Sequence, residues 1–91
     1  MSTNNNLQEK PSWFDAASVS DTLDAREMLQ AGQHPLAEAI KRTAEMKPGE
    51  IFELITPFPP MPLIEKIKDK GFLAYVKTLT DSEVHTYFCK A

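Results

Sequence analysis

Four prolines fall within the seven residues Thr56-Pro57-Phe58-Pro59-Pro60-Met61-Pro62, and no other stretch of the chain limits its fold so severely. Each proline lacks an amide donor and fixes its own φ, so the segment can be neither strand nor helix interior. It predicts a stiff, extended loop and therefore a boundary between two elements. Before it, Ile51-Phe52-Glu53-Leu54-Ile55 is nearly continuous in apolar character, as a central strand covered on both faces is. After it, Leu63, Ile64 and Ile67 recur at helical spacing towards Lys70, and Gly71 ends the run. Glu65, Lys66, Lys68, Asp69 and Lys70 form the wet face of that helix.

Upstream, His34-Pro35 opens another helix. Proline suits a first helical position because its missing N–H would be unpaired there anyway. Leu36, Ala37, Ile40 and Ala44 continue the pattern through Met46, and Lys47-Pro48-Gly49-Glu50 stops it. Val19 to Ala25 alternates weakly, as a short strand does, and residues 26–33 read as an irregular connection containing Gly32. Phe72 to Thr78 and Val84 to Lys90 are β-rich and joined by a polar connection, so they read as a hairpin. The order is β-α-β-α-β-β. Successive right-handed crossovers make the first three strands parallel and the last antiparallel, with both helices on one face of a four-stranded mixed sheet. The fold class is an α/β two-layer sandwich with one sheet face less covered.

With 91 residues the chain can hold one packed core and not two. Residues 1–12 are polar and Asn-rich, so they are expected to be a mobile tail on a single domain over residues 13–91. Trp13 and Phe14 either clamp that tail onto the domain or anchor a partner. Ten Lys+Arg against thirteen Asp+Glu, net charge -3, without a basic block, counts against nucleic acid as a partner. No stretch approaches the ~20 apolar residues of a membrane span, and the start of the chain lacks the pattern of a signal peptide. The lone Cys89 forbids an internal disulfide and suits a reducing compartment, so the expected location is cytoplasmic.

A short loop delivering X-Pro to the first helix, within this strand order, resembles the small bacterial sulfur-carrier proteins. Those carriers place a persulfide-bearing cysteine in a Cys-Pro-x-Pro motif, whereas the matching residues here are His34-Pro35-Leu36-Ala37. Imidazole cannot form a persulfide, so sulfur carriage at this position is excluded by chemistry. A closer resemblance is to the carrier-like family called domain of unknown function 2249. It rests on Leu23-Asp24-Ala25-Arg26, Gly32-Gln33-His34-Pro35-Leu36, Pro48-Gly49-Glu50, the proline loop through Ile64, Lys70-Gly71-Phe72 and Thr86-Tyr87-Phe88, across residues 13–90. That resemblance implies a fold and no assigned activity. Fusion of such domains to cupin-like, hemerythrin-like or iron-sulfur-assembly modules implies a metal or redox setting by association only.

In open α/β sheets, ligands bind where parallel strands end and helices begin. His34 and the Thr56–Pro62 loop are expected to meet on that rim, joined by Asp24 and Arg26 after the first strand. The expected ligand-binding set is His34, Asp24, Arg26 and Thr56 around one pocket, walled by Pro57, Phe58, Pro59 and Met61, with His34 as a metal ligand. Each has a structural alternative. His34 can cap its helix, Asp24 and Arg26 can form an ion pair, and the prolines can be rigid punctuation. His85 and Cys89 stand roughly 13 Å apart along one strand, too far to share a metal. No metal-ligand, phosphate-loop or catalytic motif is present. The expected function is a non-enzymatic binding or adaptor module for a partner protein, a small ligand or a metal. The competing expectation is sulfur transfer or redox chemistry with a partner enzyme, using Cys89 as a relocated thiol.

Overall fold

The computed structural model describes residues 9–90. Of the tail expected over residues 1–12, residues 1–8 therefore lie outside the described residues. The element order is a 3-10 turn at Ala16–Ser18, then β1 (Val19–Asp24), α1 (Arg26–Gln30), α2 (Leu36–Ala44), β2 (Ile51–Thr56), α3 (Met61–Lys68), β3 (Phe72–Thr80) and β4 (Glu83–Lys90). The sheet runs β1-β2-β4-β3. β1 and β2 are parallel, while β4 is inserted between β2 and β3 and is antiparallel to both, so β1, β2 and β3 share one direction. This is the mixed four-stranded α/β sandwich that the sequence implies.

Strand alternation divides the sheet into two unlike faces. Phe52 and Leu54 of β2, Val76 of β3 and Val84 and Phe88 of β4 pack with Ala39, Leu63, Ile64 and Ile67 to form the main core beneath the helices. Phe52 and Phe88, both fully buried, stack with ring centroids 6.3 Å apart at its centre. On the opposite face Ile51, Tyr75, Tyr87 and Cys89 form a smaller cluster, covered by Trp13, Phe14 and Val19. The Phe14 ring lies 4.6 Å from Tyr87 and 5.0 Å from Tyr75, so the aromatic pair of the N-terminal segment clamps onto the sheet.

Three local readings change. Residues 26–30 form α1 and not an irregular connection: the Asp24 carboxylate accepts the Arg26 amide at 3.1 Å, Met28 and Leu29 turn towards the core, and Gly32 at φ 80 closes the segment. One and a half turns are too short to show a period in sequence. In α2 the buried positions are Ala39 and Thr43, with Leu36 and Ile40 packed against the core, while Ala37 and Ala44 are exposed. Thr43 can be buried because its hydroxyl donates to the Ala39 carbonyl at 2.9 Å. The β3–β4 connection is only Asp81-Ser82, since pairing extends to Thr80 and Glu83.

Candidate functional site

α2 and α3 both begin at the rim where β1 and β2 end, and neither start carries a side-chain cap. Between them lies a groove of about 330 Å³ lined by Leu29, His34, Pro35, Leu36, Thr56, Phe58, Pro60, Pro62, Leu63 and Lys66. The chain bends at Pro57 and Phe58 and enters α3 at Met61, and the residues of this stretch that line the groove are Thr56, Phe58, Pro60 and Pro62. Pro57, Pro59 and Met61, expected as wall, are not among the lining residues, and Met61 is 43% exposed as the first residue of α3. Thr56 is fully buried, and its hydroxyl donates to the Phe58 carbonyl at 2.6 Å, which fixes the loop's departure from β2. His34 is exposed at the edge of the groove. Phe58 is 52% exposed there, a large apolar ring left in water.

The rim cluster expected from sequence is divided in two. Asp24 and Arg26 do not line this groove; with Glu27 and Gln30 they line a separate crevice of about 490 Å³. The reason is strand alternation: Leu23 packs towards the helices, which turns Asp24 to the other face, while Thr56 of β2 is on the helix side with Leu54. Asp24 and Arg26 satisfy each other in a two-pronged ion pair, Nη2 to Oδ2 at 2.7 Å and Nε to Oδ1 at 3.0 Å. That hydrogen bonding holds the Asp24 carboxyl below its ordinary range. The crevice is the larger of the two, yet its one cation, Arg26, is already paired with Asp24, so the apolar groove is the better ligand site.

A polar network that sequence reasoning missed crosses the sheet on the face away from the helices. His85 Nδ1 lies 2.9 Å from Glu53 Oε2, and His85 Nε2 lies 2.8 Å from Glu83 Oε2. The Thr22 hydroxyl donates to Glu53 Oε1 at 3.0 Å. Glu83 in turn sits 3.6 Å from Arg26 Nη1. The signal available in sequence was Glu53 itself: a charged residue inside an apolar central strand needs a partner. The two carboxylates occupy opposite edges of the imidazole, so one ion cannot reach both together with a ring nitrogen. No group of three or more His, Cys, Asp or Glu able to hold a metal occurs among the described residues.

The model of a family of uncharacterized conserved proteins, DUF2249, matches residues 22–90. The chain belongs to this family. No curated protein matches it, and no solved structure matches it. The matched span of this DUF2249 protein contains the groove, the crevice and the His85 network, whereas the Trp13–Phe14 clamp lies before it. Cys89 is 6% exposed in the small aromatic cluster, on the face opposite the groove, and burial pushes its thiol pKa up. No helix among the described residues is long and apolar enough to cross a membrane.

Proposed function

We propose that this DUF2249 protein is a non-enzymatic binding module and that the groove between the starts of α2 and α3 is its ligand site. The observation that carries the reading is the lining itself: seven apolar side chains on a rim of parallel strands, with exposed Phe58 at the edge. An exposed aromatic continuous with an apolar groove extends the kind of contiguous apolar surface that marks a ligand or partner site. His34 stands where the resembling sulfur carriers have their reactive cysteine, which supports a rim given to recognition in place of group transfer. The metal version of this reading has His34 as its one ligand and no second donor of the same kind in the groove. Sulfur transfer through Cys89 draws less support, because that thiol is buried and held protonated. A single protected thiol suits work in the reducing cytoplasm.

Amide chemical-shift mapping with a panel of small amphipathic ligands tests the proposal. Shifts confined to Leu36, Phe58 and Leu63, lost in Phe58→Ala and weakened in His34→Ala, are the expected result. Shifts that instead map to the Tyr75–Tyr87 face overturn it.

A further inference from the structure

We infer that the groove selects a small organic acid, with an apolar body against the proline loop and a carboxylate read by Lys66 of α3 and the His34 ring. The inference rests on the groove being the ligand site and adds the chemistry of what enters it. Of the ten lining residues, only His34, Thr56 and Lys66 carry polar side-chain atoms. The Thr56 hydroxyl is already given to the Phe58 carbonyl at 2.6 Å, so it offers the ligand no donor. Lys66 stands one turn beyond Pro62 and Leu63, which places its ammonium over the same wall. No carboxylate pairs with Lys66 among the described residues, and no Asp or Glu lines the groove. The charge left over is therefore positive, and it faces an apolar surface. A cationic ligand meets repulsion there, a neutral one leaves the ammonium unmatched, and a monocarboxylate satisfies it. The volume of about 330 Å³ is at the small end of small-molecule sites, so the body is compact, on the scale of a medium-chain or single-ring acid.

Octanoate, octanamide and octylamine share one apolar body and differ in the head. Their dissociation constants, read from groove amide shifts, separate the acid inference from the groove reading. Octanoate is expected to bind about three- to ten-fold more tightly than octanamide, the range for a charge-assisted contact that stays partly wet, with octylamine weakest. Lys66→Gln should remove most of the preference for octanoate while leaving octanamide within about twofold, because an amide head gains little from the ammonium. Phe58→Ala should weaken both. Equal binding of octanoate and octanamide to the unaltered protein overturns the acid inference and leaves the groove reading standing. If no probe moves the groove amides, the groove reading falls and this inference with it.

Discussion

Glu53 and His85 meet diagonally across the β2–β4 pairing, where Glu53 is in register with Tyr87 and His85 with Ile55, and their side chains close to 2.9 Å. Burial works against a charge on His85, but hydrogen bonds to Glu83 and Glu53 outweigh it and raise the pKa above the ordinary 6.5. A folded-state value above the unfolded one means that the imidazolium's stabilisation is complete below about pH 6.5 and is lost as pH rises through the folded value. Stability should therefore decline on going from pH 6 into the alkaline range. Guanidinium unfolding at a series of pH values checks this, with the His85 ring titrated by NMR. His85→Gln should flatten the decline; a ring that titrates below 6.5 would falsify the assignment.

Removing the imidazole leaves Glu53 and Glu83 facing each other without a cation between them. The Glu53 and His85 side chains are only 18% and 14% exposed, so solvent cannot fully substitute. His85→Ala should cost about 1–3 kcal/mol at pH 6, and the double change Glu53→Gln with His85→Ala should recover part of it. A thermodynamic cycle over these variants measures the coupling, and additive losses would show that the pair does not interact.

Phe14 packs on Tyr75 and Tyr87 in the cluster that also buries Cys89, so its removal should have two linked effects. Phe14→Ala should destabilise by about 1.5–3 kcal/mol, below the 3–5 of a full core aromatic because the ring is only half buried. It should also speed the reaction of Cys89 with a thiol reagent under native conditions. Unchanged labelling in a folded Phe14→Ala protein would mean that the clamp is not what protects the thiol.

Thr56 supplies both the last rung of β2 and the hydrogen bond that turns the chain into the proline loop. Thr56→Val keeps the shape and deletes the donor, leaving the Phe58 carbonyl unpaired. A loss of about 1–2 kcal/mol is expected, together with weaker groove binding, since Phe58 is then less firmly held. Thr56→Ser restores the hydroxyl and should restore binding before it restores all of the stability. Calorimetric melting alongside ligand titration separates the two effects.

The parts of this fold that can be read from sequence are those set by local chemistry. The apolar run at Ile51–Ile55 and the Leu63, Ile64, Ile67 spacing each act within a few residues and appear where expected, whereas the proline loop expected over Thr56–Pro62 shrinks to residues 57–60, because Thr56 still pairs in β2 and Pro62 is tolerated in the first turn of α3. α1 escaped because its signal is a single Asp24 carboxylate on one amide, and the buried side of α2 escaped because Thr43 hides its hydroxyl in the helix's own backbone. The candidate site was legible in half. His34, Thr56 and Phe58 are brought together by loop geometry, but the separation of Asp24 and Arg26 from them depends on which face each strand position takes. The Glu53–His85–Glu83 chain depends on register between β2 and β4, which no local pattern encodes.

The Thr86 hydroxyl is the one buried side-chain polar atom without a hydrogen-bond partner among the described residues. It belongs to β4 between Leu54 and Val76, fully buried on the helix side of the sheet with Val84 and Phe88. A buried hydroxyl that bonds to nothing has lost its water without compensation, which costs about 1–3 kcal/mol. Valine has the same shape, no polar atom and a strong preference for strands. Thr86→Val should therefore stabilise the protein by about 1 kcal/mol, raising the melting temperature by roughly 4–8 °C for a domain of this size. The contrast with Thr56→Val is the sharper check: the same chemical change is expected to move stability in opposite directions at two threonines of equal burial, because only one of them donates a hydrogen bond. If both variants lose stability in the calorimeter, Thr86 has a partner and the reasoning from its orphaned oxygen fails.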